Sequence, residues 1–329
     1  MLKKITTFSL AIFLVVSCGK PNDPEDYTGG YKIVKKFQTA GYANDLVIDG
    51  DLCYVAVGEV GLSVLDITNP LSPVTISTLS DGARGYSTKI AKKGNAVYMA
   101  AGSFGITVVN VDDPNNMTVS FANLNIKPAK NVHIMGNYLV SCLSEHGFNM
   151  TNIEDPQFPE IRGTNKTDGY AKGLASSTDK QKVFIATGEM GMSIFDISEF
   201  ADGYGIYPKI SDLNLFGYSE DILVDENRSV AFVACGSEGL KIVDYTNIAN
   251  LNVVGEIKTG GYAYELYYEN NKIYMTTKSA GLQIIDVSNV ADPKLVGTVD
   301  TNYALGIEVK GNYILLADEE EGLIVISKP

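Results

Sequence analysis

Residues 61–70, GLSVLDITNP, recur with variations along the chain as far as its C-terminus. Each copy begins with a glycine, and the glycines are Gly61, Gly105, Gly147, Gly191, Gly239, Gly281 and Gly322. Neighbouring glycines in this series are 41 to 48 residues apart. A period this even is typical of proteins built from structural repeats.

Each repeat contains four short apolar runs separated by turn residues. In the first repeat the runs are 46–48, 52–57, 62–67 and 74–79. Runs of this length rich in Val, Ile and Tyr, bounded by Gly, Asn, Asp and Pro, predict strands joined by turns. No amphipathic helix is evident, so the sequence predicts an all-β protein.

The third run of each repeat is apolar on both faces, as in Val108-Val109 and Ile284-Ile285. A strand buried on both faces needs a sheet on each side, which radially stacked four-stranded blades provide. A second landmark opens each unit: Gly-Tyr-small at 41–43, 85–87, 169–171, 217–219 and 261–263, with variants at 128–130 and 302–304.

Seven units predict a seven-bladed β-propeller of four-stranded blades. The last unit has only three runs, and residues 31–37 resemble a fourth strand. We therefore expect this N-terminal strand to close the last blade, which removes an exposed sheet edge.

The pattern Gly-Leu-x-x-x-Asp-(Ile/Val)-(Ser/Thr)-Asn resembles the LVIVD-repeat propellers of bacterial and archaeal surface proteins. The resemblance covers residues 41–329 and weakens at Asn110, Asn152 and Ser327. It implies a propeller on an envelope-associated protein, and it brings no catalytic residues with it. Because the chain has no tryptophan, Trp-Asp repeats and quinone-dependent propellers are disfavoured.

The N-terminus has the features of an export signal. Lys3 and Lys4 precede an apolar run at 8–16 that is too short to span a bilayer. Residues 15–18 resemble the lipobox of bacterial lipoproteins, which predicts a signal peptide at 1–17 and a lipidated Cys18. The alternatives are an ordinary secretory signal or a chance cysteine in an apolar run.

Residues 18–29 are predicted to be a flexible tether and residues 30–329 the propeller. The tether is acidic at Asp23, Glu25 and Asp26, as are surface-export signals of Bacteroidota lipoproteins. The expected location is the cell envelope, as an outer-membrane lipoprotein held by its lipid. Exposure at the cell surface is a further expectation, with a solvated linker as the alternative.

The formal net charge of −13 argues against a nucleic-acid partner, whose phosphates require Lys and Arg. Three cysteines follow the predicted anchor: Cys53, Cys142 and Cys235. They fall in the second strands of blades 1, 3 and 5, which are too far apart for a disulfide. They are therefore predicted to be buried free thiols.

Carboxylates collect in the loops of one propeller face. The predicted binding face comprises Glu59, Glu145, His146, Glu189, Glu238, Asp318, Glu319, Glu320 and Glu321. Asp45, Glu220, Asp221 and Glu265 are expected near the mouth of the central channel. Such oxygens could hold Ca²⁺ or attract a basic partner, and a solvated acidic rim is the alternative. No particular metal ligand is assigned.

The tyrosines of the second landmark would form a ring on the same face. Their repetition favours packing between blades over ligand recognition. Both histidines, His133 and His146, belong to blade 3, and neither accompanies a nucleophile motif. No catalytic residue and no cofactor is therefore predicted.

These features favour a lipid-anchored propeller that binds a macromolecular partner, a protein or a glycan, at the cell envelope. One alternative is a glycan-active hydrolase or lyase that uses the carboxylates at the channel mouth. The other is a structural subunit of a surface complex. The sequence leans towards a binding protein without settling whether the protein is an enzyme.

Overall fold

A computed structural model describes residues 27–79, 85–124, 126–198 and 205–329. Over these residues the chain forms 28 strands arranged in seven antiparallel sheets of four strands each. The predicted signal peptide, the lipidated Cys18 and most of the predicted tether lie outside the described residues. The all-β class, the seven blades and the four strands per blade are confirmed.

Blades 1 to 4 follow one another along the chain, each with its first strand innermost. Blade 1 contains β2 (Asp45–Asp49), β3 (Leu52–Ala56), β4 (Leu62–Asp66) and β5 (Val74–Leu79). Blade 2 contains β6 (Lys89–Lys93), β7 (Ala96–Ala100), β8 (Ile106–Asn110) and β9 (Thr118–Leu124). Blade 3 contains β10 (Asn131–Met135), β11 (Tyr138–Cys142), β12 (Phe148–Asn152) and β13 (Glu160–Asn165). Blade 4 contains β14 (Gly173–Ser176), β15 (Lys182–Ala186), β16 (Met192–Asp196) and β17 (Lys209–Leu213).

Blades 5 to 7 complete the ring. Blade 5 contains β18 (Asp221–Asp225), β19 (Val230–Ala234), β20 (Leu240–Asp244) and β21 (Asn252–Ile257). Blade 6 contains β22 (Glu265–Glu269), β23 (Lys272–Thr276), β24 (Leu282–Asp286) and β25 (Lys294–Val299). Blade 7 contains β26 (Ala304–Lys310), β27 (Tyr313–Asp318), β28 (Gly322–Ser327) and, as its outermost strand, β1 (Lys32–Phe37).

The N-terminal strand closes the ring, as predicted. β1 pairs antiparallel with β28, from Lys32 opposite Ser327 to Phe37 opposite Leu323. Just before it, Tyr31 is buried and its ring meets the edge of Tyr274 in blade 6 at 6.1 Å between centroids. The last blade is therefore held by both ends of the chain, and its outer edge is not left open.

The glycine that begins each copy of the repeat has a steric role. All seven have φ between 71° and 105°, a region that L side chains rarely adopt. At Gly147 a Cβ would lie 1.9 Å from the carbonyl oxygen of Asn165, on the neighbouring fourth strand. The chain can enter each third strand at this distance only if the residue has no side chain.

The aspartate that ends the third strand caps the turn after it. Asp66 Oδ1 accepts a hydrogen bond from the Thr68 amide at 2.8 Å, and Asp286 Oδ1 accepts one from Ser288 at 2.8 Å. Asn152 makes the same bond to the Glu154 amide at 2.8 Å. The departures from aspartate in blades 2 and 3 therefore keep the function of the motif, because an amide oxygen accepts the same bond.

The hydrophobic core lies between the blades. Between blades 1 and 2, for example, Tyr54 and Val64 pack against Val97, Met99 and Val109, all of them almost fully buried. Second and third strands thus bury both faces, which explains why they do not alternate between apolar and polar residues.

The three cysteines are free and buried, as predicted. Cys53 lies in β3, Cys142 in β11, and Cys235 directly after β19. Burial raises the pKa of the Cys235 thiol to about 11, so this sulfur is protonated and unreactive at neutral pH.

Candidate binding site at the channel mouth

The propeller has an upper face and a lower face. The upper face consists of the hairpins between second and third strands and of the segments that enter each first strand; the lower face consists of the other turns. On the upper face the hairpins of blades 1 to 6 each pair with the next blade through a single bridge, such as Gly58 with Ser87 and Gly236 with Ala263. These bridges place the Gly-Tyr-small landmark at the junction between blades.

A buried ionic cluster lies where the upper ends of the first strands meet. The Lys89 ammonium of blade 2 contacts the carboxylates of Asp45 in blade 1, at 3.3 Å, and of Glu265 in blade 6. Burial alone would lower the pKa of Lys89, but these two carboxylates outweigh it and raise that pKa. The ammonium therefore stays charged and joins blades on opposite sides of the channel.

Two carboxylates of this cluster also link neighbouring inner strands. Asp45 Oδ2 accepts a hydrogen bond from the Ile90 amide at 2.8 Å, and Asp221 Oδ2 accepts one from Leu266 at 3.0 Å. Each carboxylate thus links its own blade to the next. Burial raises the pKa of Asp221 to about 6, although Lys89 acts in the opposite direction. The prediction that Asp45, Asp221 and Glu265 lie near the channel mouth agrees with this arrangement.

A cavity of about 280 Å³ opens above this cluster on the upper face. Its walls come from five blades, 2 to 6, and include four lysines. The lining residues are Thr88, Lys89, Lys130, Asn131, Lys172, Glu220, Asp221, Tyr264 and Lys278. The channel mouth is thus rich in ammonium groups, although the sequence analysis expected carboxylates to dominate there.

The upper wall of the cavity is organised around Glu220 and two aromatic rings. Glu220 accepts a hydrogen bond from the Tyr262 hydroxyl at 2.8 Å and lies 3.4 Å from the Lys172 ammonium. The Lys278 ammonium lies 4.3 Å from the centroid of Tyr262 and 4.7 Å from that of Tyr264. Cation–π contact stabilises a charge at this position without neutralising it.

The predicted acidic face is less uniform than its sequence suggested. Asp318 is fully buried, and its carboxylate accepts hydrogen bonds from the amides of Tyr303, Glu320 and Glu321. Its role is to hold the turn of blade 7, because a charged side chain in this position satisfies three backbone donors at once.

Two of the remaining carboxylates of this face have cationic partners. Glu321 lies 2.5 Å from Lys36 of the closing strand, and Glu238 lies 2.9 Å from Lys258. Such partly exposed pairs contribute little to stability, but they reduce the negative charge that a basic partner would meet.

Part of the predicted face does come together. Glu59, Glu319 and Glu320 line a cavity of about 260 Å³ around Tyr42, at the junction of blades 7 and 1. Glu145 and Glu189 are exposed on the hairpins of blades 3 and 4, and His146 is exposed beside Glu145. The structure thus divides the predicted set into one acidic cluster, two isolated hairpin tips, two ion pairs and one buried turn anchor.

The landmark tyrosines pack between blades. A Cβ on the left-handed Gly58 would lie 3.0 Å from the Tyr86 ring, and one on Gly188 would lie 3.1 Å from the Tyr218 ring. The structure therefore supports the packing interpretation. Two members nevertheless remain open to solvent, Tyr42 at 57% and Tyr170 at 40% exposure.

The two histidines of blade 3 have different environments. His133 Nε2 lies 3.0 Å from the Ser176 hydroxyl in blade 4, and burial lowers the pKa of its imidazole to about 4. It is neutral at physiological pH and serves as an interblade contact. His146, at the tip of its hairpin, is exposed to solvent.

Among the described residues, no group of three or more His, Cys, Asp or Glu side chains is placed to hold a metal ion. No helix in the described part of the chain is long and apolar enough to cross a membrane.

The repeat assignment agrees with comparison to known families. The model for the LVIVD repeat matches residues 40–81, 216–259, 260–301 and 303–327. The chain carries LVIVD repeats in its seven-bladed propeller. No curated protein matches its sequence.

Solved structures share the architecture of the LVIVD propeller at low sequence identity. The β-propeller domain of Myceliophteria thermophila Cps50 (Swd1) has a TM-score of 0.71 at 11% identity, covering 91% of this chain and 100% of that one. The WD40 propeller domain of Doa1 has a TM-score of 0.70 at 9% identity, covering 91% and 98%. The computationally designed Ika8 protein has a TM-score of 0.64 at 11% identity, covering 90% and 99%. At these identities the likeness concerns the fold.

Three lysines of the LVIVD propeller's channel mouth were missed by sequence reasoning. The bridge between Gly102 and Ala129 places Ala129 at the small position of the landmark in blade 3, so this unit is 127–129 and the predicted 128–130 was wrong by one residue. Lys130 and Lys172 therefore hold equivalent positions in blades 3 and 4, directly after the small residue. Lys278 stands where blades 1, 2, 4 and 5 have a left-handed glycine, and it adopts φ of 54° itself. That exchange of glycine for lysine was the signal, since a side chain at such a position has a steric cost.

The upper face of the LVIVD propeller also exposes large apolar side chains. Phe216 is 83% exposed and Phe104 is 50% exposed, both in upper-face segments. Tyr42, Tyr170 and Met190 lie on the same face and are 38% to 57% exposed. A further cavity of about 580 Å³ lies beside Phe104 and is lined also by Tyr86, Glu59 and Lys130.

Proposed function

We propose that this LVIVD propeller is a lipid-anchored recognition module of the cell envelope that binds a protein partner over its upper face. The propeller supplies a rigid ring, and its upper loops supply the variable surface. One observation carries the choice of face and partner: Phe104, Met190 and Phe216 are exposed there without a polar group at their tips. Exposed apolar groups rimmed by charges are typical of surfaces that bind proteins.

The membrane attachment rests on the lipobox-like segment that ends at Cys18. We expect Cys18→Ser to release the protein from the membrane fraction of its cells, because the lipid is the proposed anchor. The protein in each fraction is measured by immunoblotting. A Cys18→Ser protein that stays in the membrane fraction like the wild type would contradict the anchor.

Partner binding is tested by placing a photoreactive phenylalanine analogue on either face of the protein in intact cells. We expect Phe216→p-benzoylphenylalanine, on the upper face, to give a crosslinked product of defined mass. The matched control is Phe158, which is 71% exposed in the turn between β12 and β13 on the lower face. Crosslinking of equal yield at Phe158, or none at Phe216, would contradict the proposed face. A glycan adduct at Phe216 would contradict the protein class.

A glycan-active enzyme is the second candidate, and Asp221 favours it. This carboxyl lines the 280 Å³ cavity and has a pKa of about 6, which suits a general acid. Incubation with acidic polysaccharides would release new reducing ends or unsaturated sugars, and Asp221→Asn would stop that release. Unchanged polysaccharide would reject this candidate.

A further inference from the structure

The 280 Å³ cavity at the channel mouth combines ammonium groups that lack carboxylate partners. Among the described residues, no carboxylate lies within 4 Å of the ammonium group of Lys130 or Lys278, and Lys130 makes no side-chain hydrogen bond there. Lys172 has only Glu220, at 3.4 Å. Three lysines therefore face a single carboxylate in the upper wall.

In the floor of the cavity the carboxylates have partners other than these three lysines. The carboxylates of Asp45 and Glu265 contact Lys89, and Asp221 is bound to the Leu266 amide. The cavity thus has an upper wall with three ammonium groups and one carboxylate, above a floor in which Lys89 pairs with two carboxylates and Asp221 with a backbone amide.

This local charge stands out against the whole chain, which carries a formal net charge of −13 and has 26 Lys and Arg against 39 Asp and Glu. An acidic protein repels anions in general, because its overall field opposes their approach. Three lysines from blades 3, 4 and 6 in one cavity therefore indicate a site selective for an anion.

The position of Lys278 strengthens this reading. Its backbone occupies the left-handed region at φ of 54°, where four other blades have glycine. The side chain lies between the rings of Tyr262 and Tyr264, which hold the ammonium at the cavity. Burial lowers the pKa of Lys278, so the group is poised to gain from an incoming anion.

We propose that this cavity binds a phosphate or sulfate group, either as the free ion or as a monoester on a sugar-sized molecule. Three ammonium donors from three blades suit an oxyanion with three or more acceptor oxygens, and lysine binds such groups as a point charge. The volume of about 280 Å³ is larger than the oxyanion and leaves space for part of its carrier. The site does not depend on the protein partner proposed above, since it lies in the cavity and not at the exposed apolar side chains.

Isothermal titration calorimetry on the full chain in detergent, at constant ionic strength, tests this proposal. The probes are inorganic phosphate, inorganic sulfate, galactose 6-phosphate, galactose 6-sulfate and galacturonate. We expect saturable binding of at least one tetrahedral oxyanion, and comparison of free ions with esters identifies the source. No binding of any of the four at millimolar concentration would overturn the proposal. So would galacturonate binding as tightly as the oxyanions, because its carboxylate is planar.

Two variants test the assigned residues. Lys130→Gln and Lys278→Gly should each weaken oxyanion binding by about tenfold, since each removes a charged donor. The matched control, Lys258→Gln, removes a charge from the upper face outside the cavity and should change the affinity less than about twofold. If all three variants weakened oxyanion binding equally, the binding would reflect the overall charge of the face and not this cavity, which would overturn the proposal.

Folding is controlled within the same set. Lys278→Gly restores the residue that the other blades carry, so it should melt within about 3 °C of the wild type. Calcium is titrated in parallel. A calcium-induced rise in melting temperature that Asp221→Asn abolishes, without any oxyanion binding, would assign the cavity to a cation and overturn the proposal.

Discussion

The lower face and the channel mouth treat their polar residues in opposite ways. On the lower face Asp66, Asp196 and Asp286 each accept a hydrogen bond from a backbone amide two residues later. The Thr or Ser hydroxyl of that later residue, together with this amide bond, lowers the pKa of each carboxyl. At the channel mouth burial raises the pKa of Asp221 and lowers that of Lys278. The polar groups of the lower face are satisfied by hydrogen bonds within their own turns, whereas those of the channel mouth occupy strained or buried positions.

The difference between the two regions corresponds to which positions recur across the blades and which vary from blade to blade. The turn-capping residue is Asp or Asn in blades 1 to 6, and the glycine before each third strand is present in all seven blades. The position that follows the small landmark residue changes from blade to blade: Asn44, Thr88, Lys130, Lys172, Glu220, Tyr264 and Leu305. Repeated positions build the ring, and positions that vary determine what the ring can bind.

Of the changes considered, removal of the closing strand β1 should reduce the stability of the propeller ring most. A chain lacking residues 1–37 loses β1 and the buried Tyr31, and we expect a loss of about 5 kcal/mol or more together with aggregation through the open edge of β28. Thermal unfolding by circular dichroism measures the change. The matched truncation removes only residues 1–26 and should melt like the full chain; equal melting of both truncations would contradict closure.

Substitution of a repeated glycine should have the next largest effect. Gly147→Ala places a Cβ 1.9 Å from a carbonyl oxygen at positive φ, and we expect a loss of about 2–5 kcal/mol. Gly94 has φ of 52° and no atom within 4 Å of its notional Cβ. Gly94→Ala should therefore lose only about 1–2 kcal/mol, which is the backbone contribution alone. Similar losses for both variants, measured by denaturant unfolding, would show that the close approach is unimportant.

Substitution of the channel carboxylate Glu308 should increase stability instead of reducing it, and by a smaller amount. Burial and the nearby Asp45 raise the pKa of Glu308 to about 7, so the folded state holds a proton that the unfolded state has lost between about pH 4.5 and 7. Stability therefore falls as the pH rises through that range. We expect Glu308→Gln to raise the melting temperature at pH 8 and to leave it unchanged at pH 4.

The control for this variant is Glu59→Gln on the exposed hairpin of blade 1, which should leave the melting temperature unchanged at both pH values. A Glu308→Gln protein that melts lower than the wild type at pH 8 would contradict this prediction and would show that the carboxylate stabilises the propeller.

The fold was predictable because its determinants recur. The glycines, the turn-capping residues and the landmark each appear several times, so an exception such as Asn152 does not hide the pattern. Closure was predictable because the last repeat lacks one strand. These features act locally, within a blade or between neighbouring blades, where spacing along the chain reports distance in space.

The site was less predictable because it combines residues that the chain separates. Lys130, Lys172 and Lys278 meet only through the curvature of the ring, and a strongly acidic composition drew attention to carboxylates. Asp318 was misjudged for a related reason. It sits in an acidic run, but it aligns with the buried Val57 and Thr277, so its place in the strand predicts burial better than its charge does.

The central claim is that Lys278 and Glu308, which are blade-specific residues at the channel, reduce stability, while the repeated residues maintain the ring. It is tested most directly by the melting temperature of the Lys278→Gly, Glu308→Gln double variant at pH 8. We predict that this protein melts higher than the wild type, because one change relieves a strained backbone and the other removes a buried charge. A double variant that melts lower than the wild type would contradict the claim and would place both residues in the structural frame.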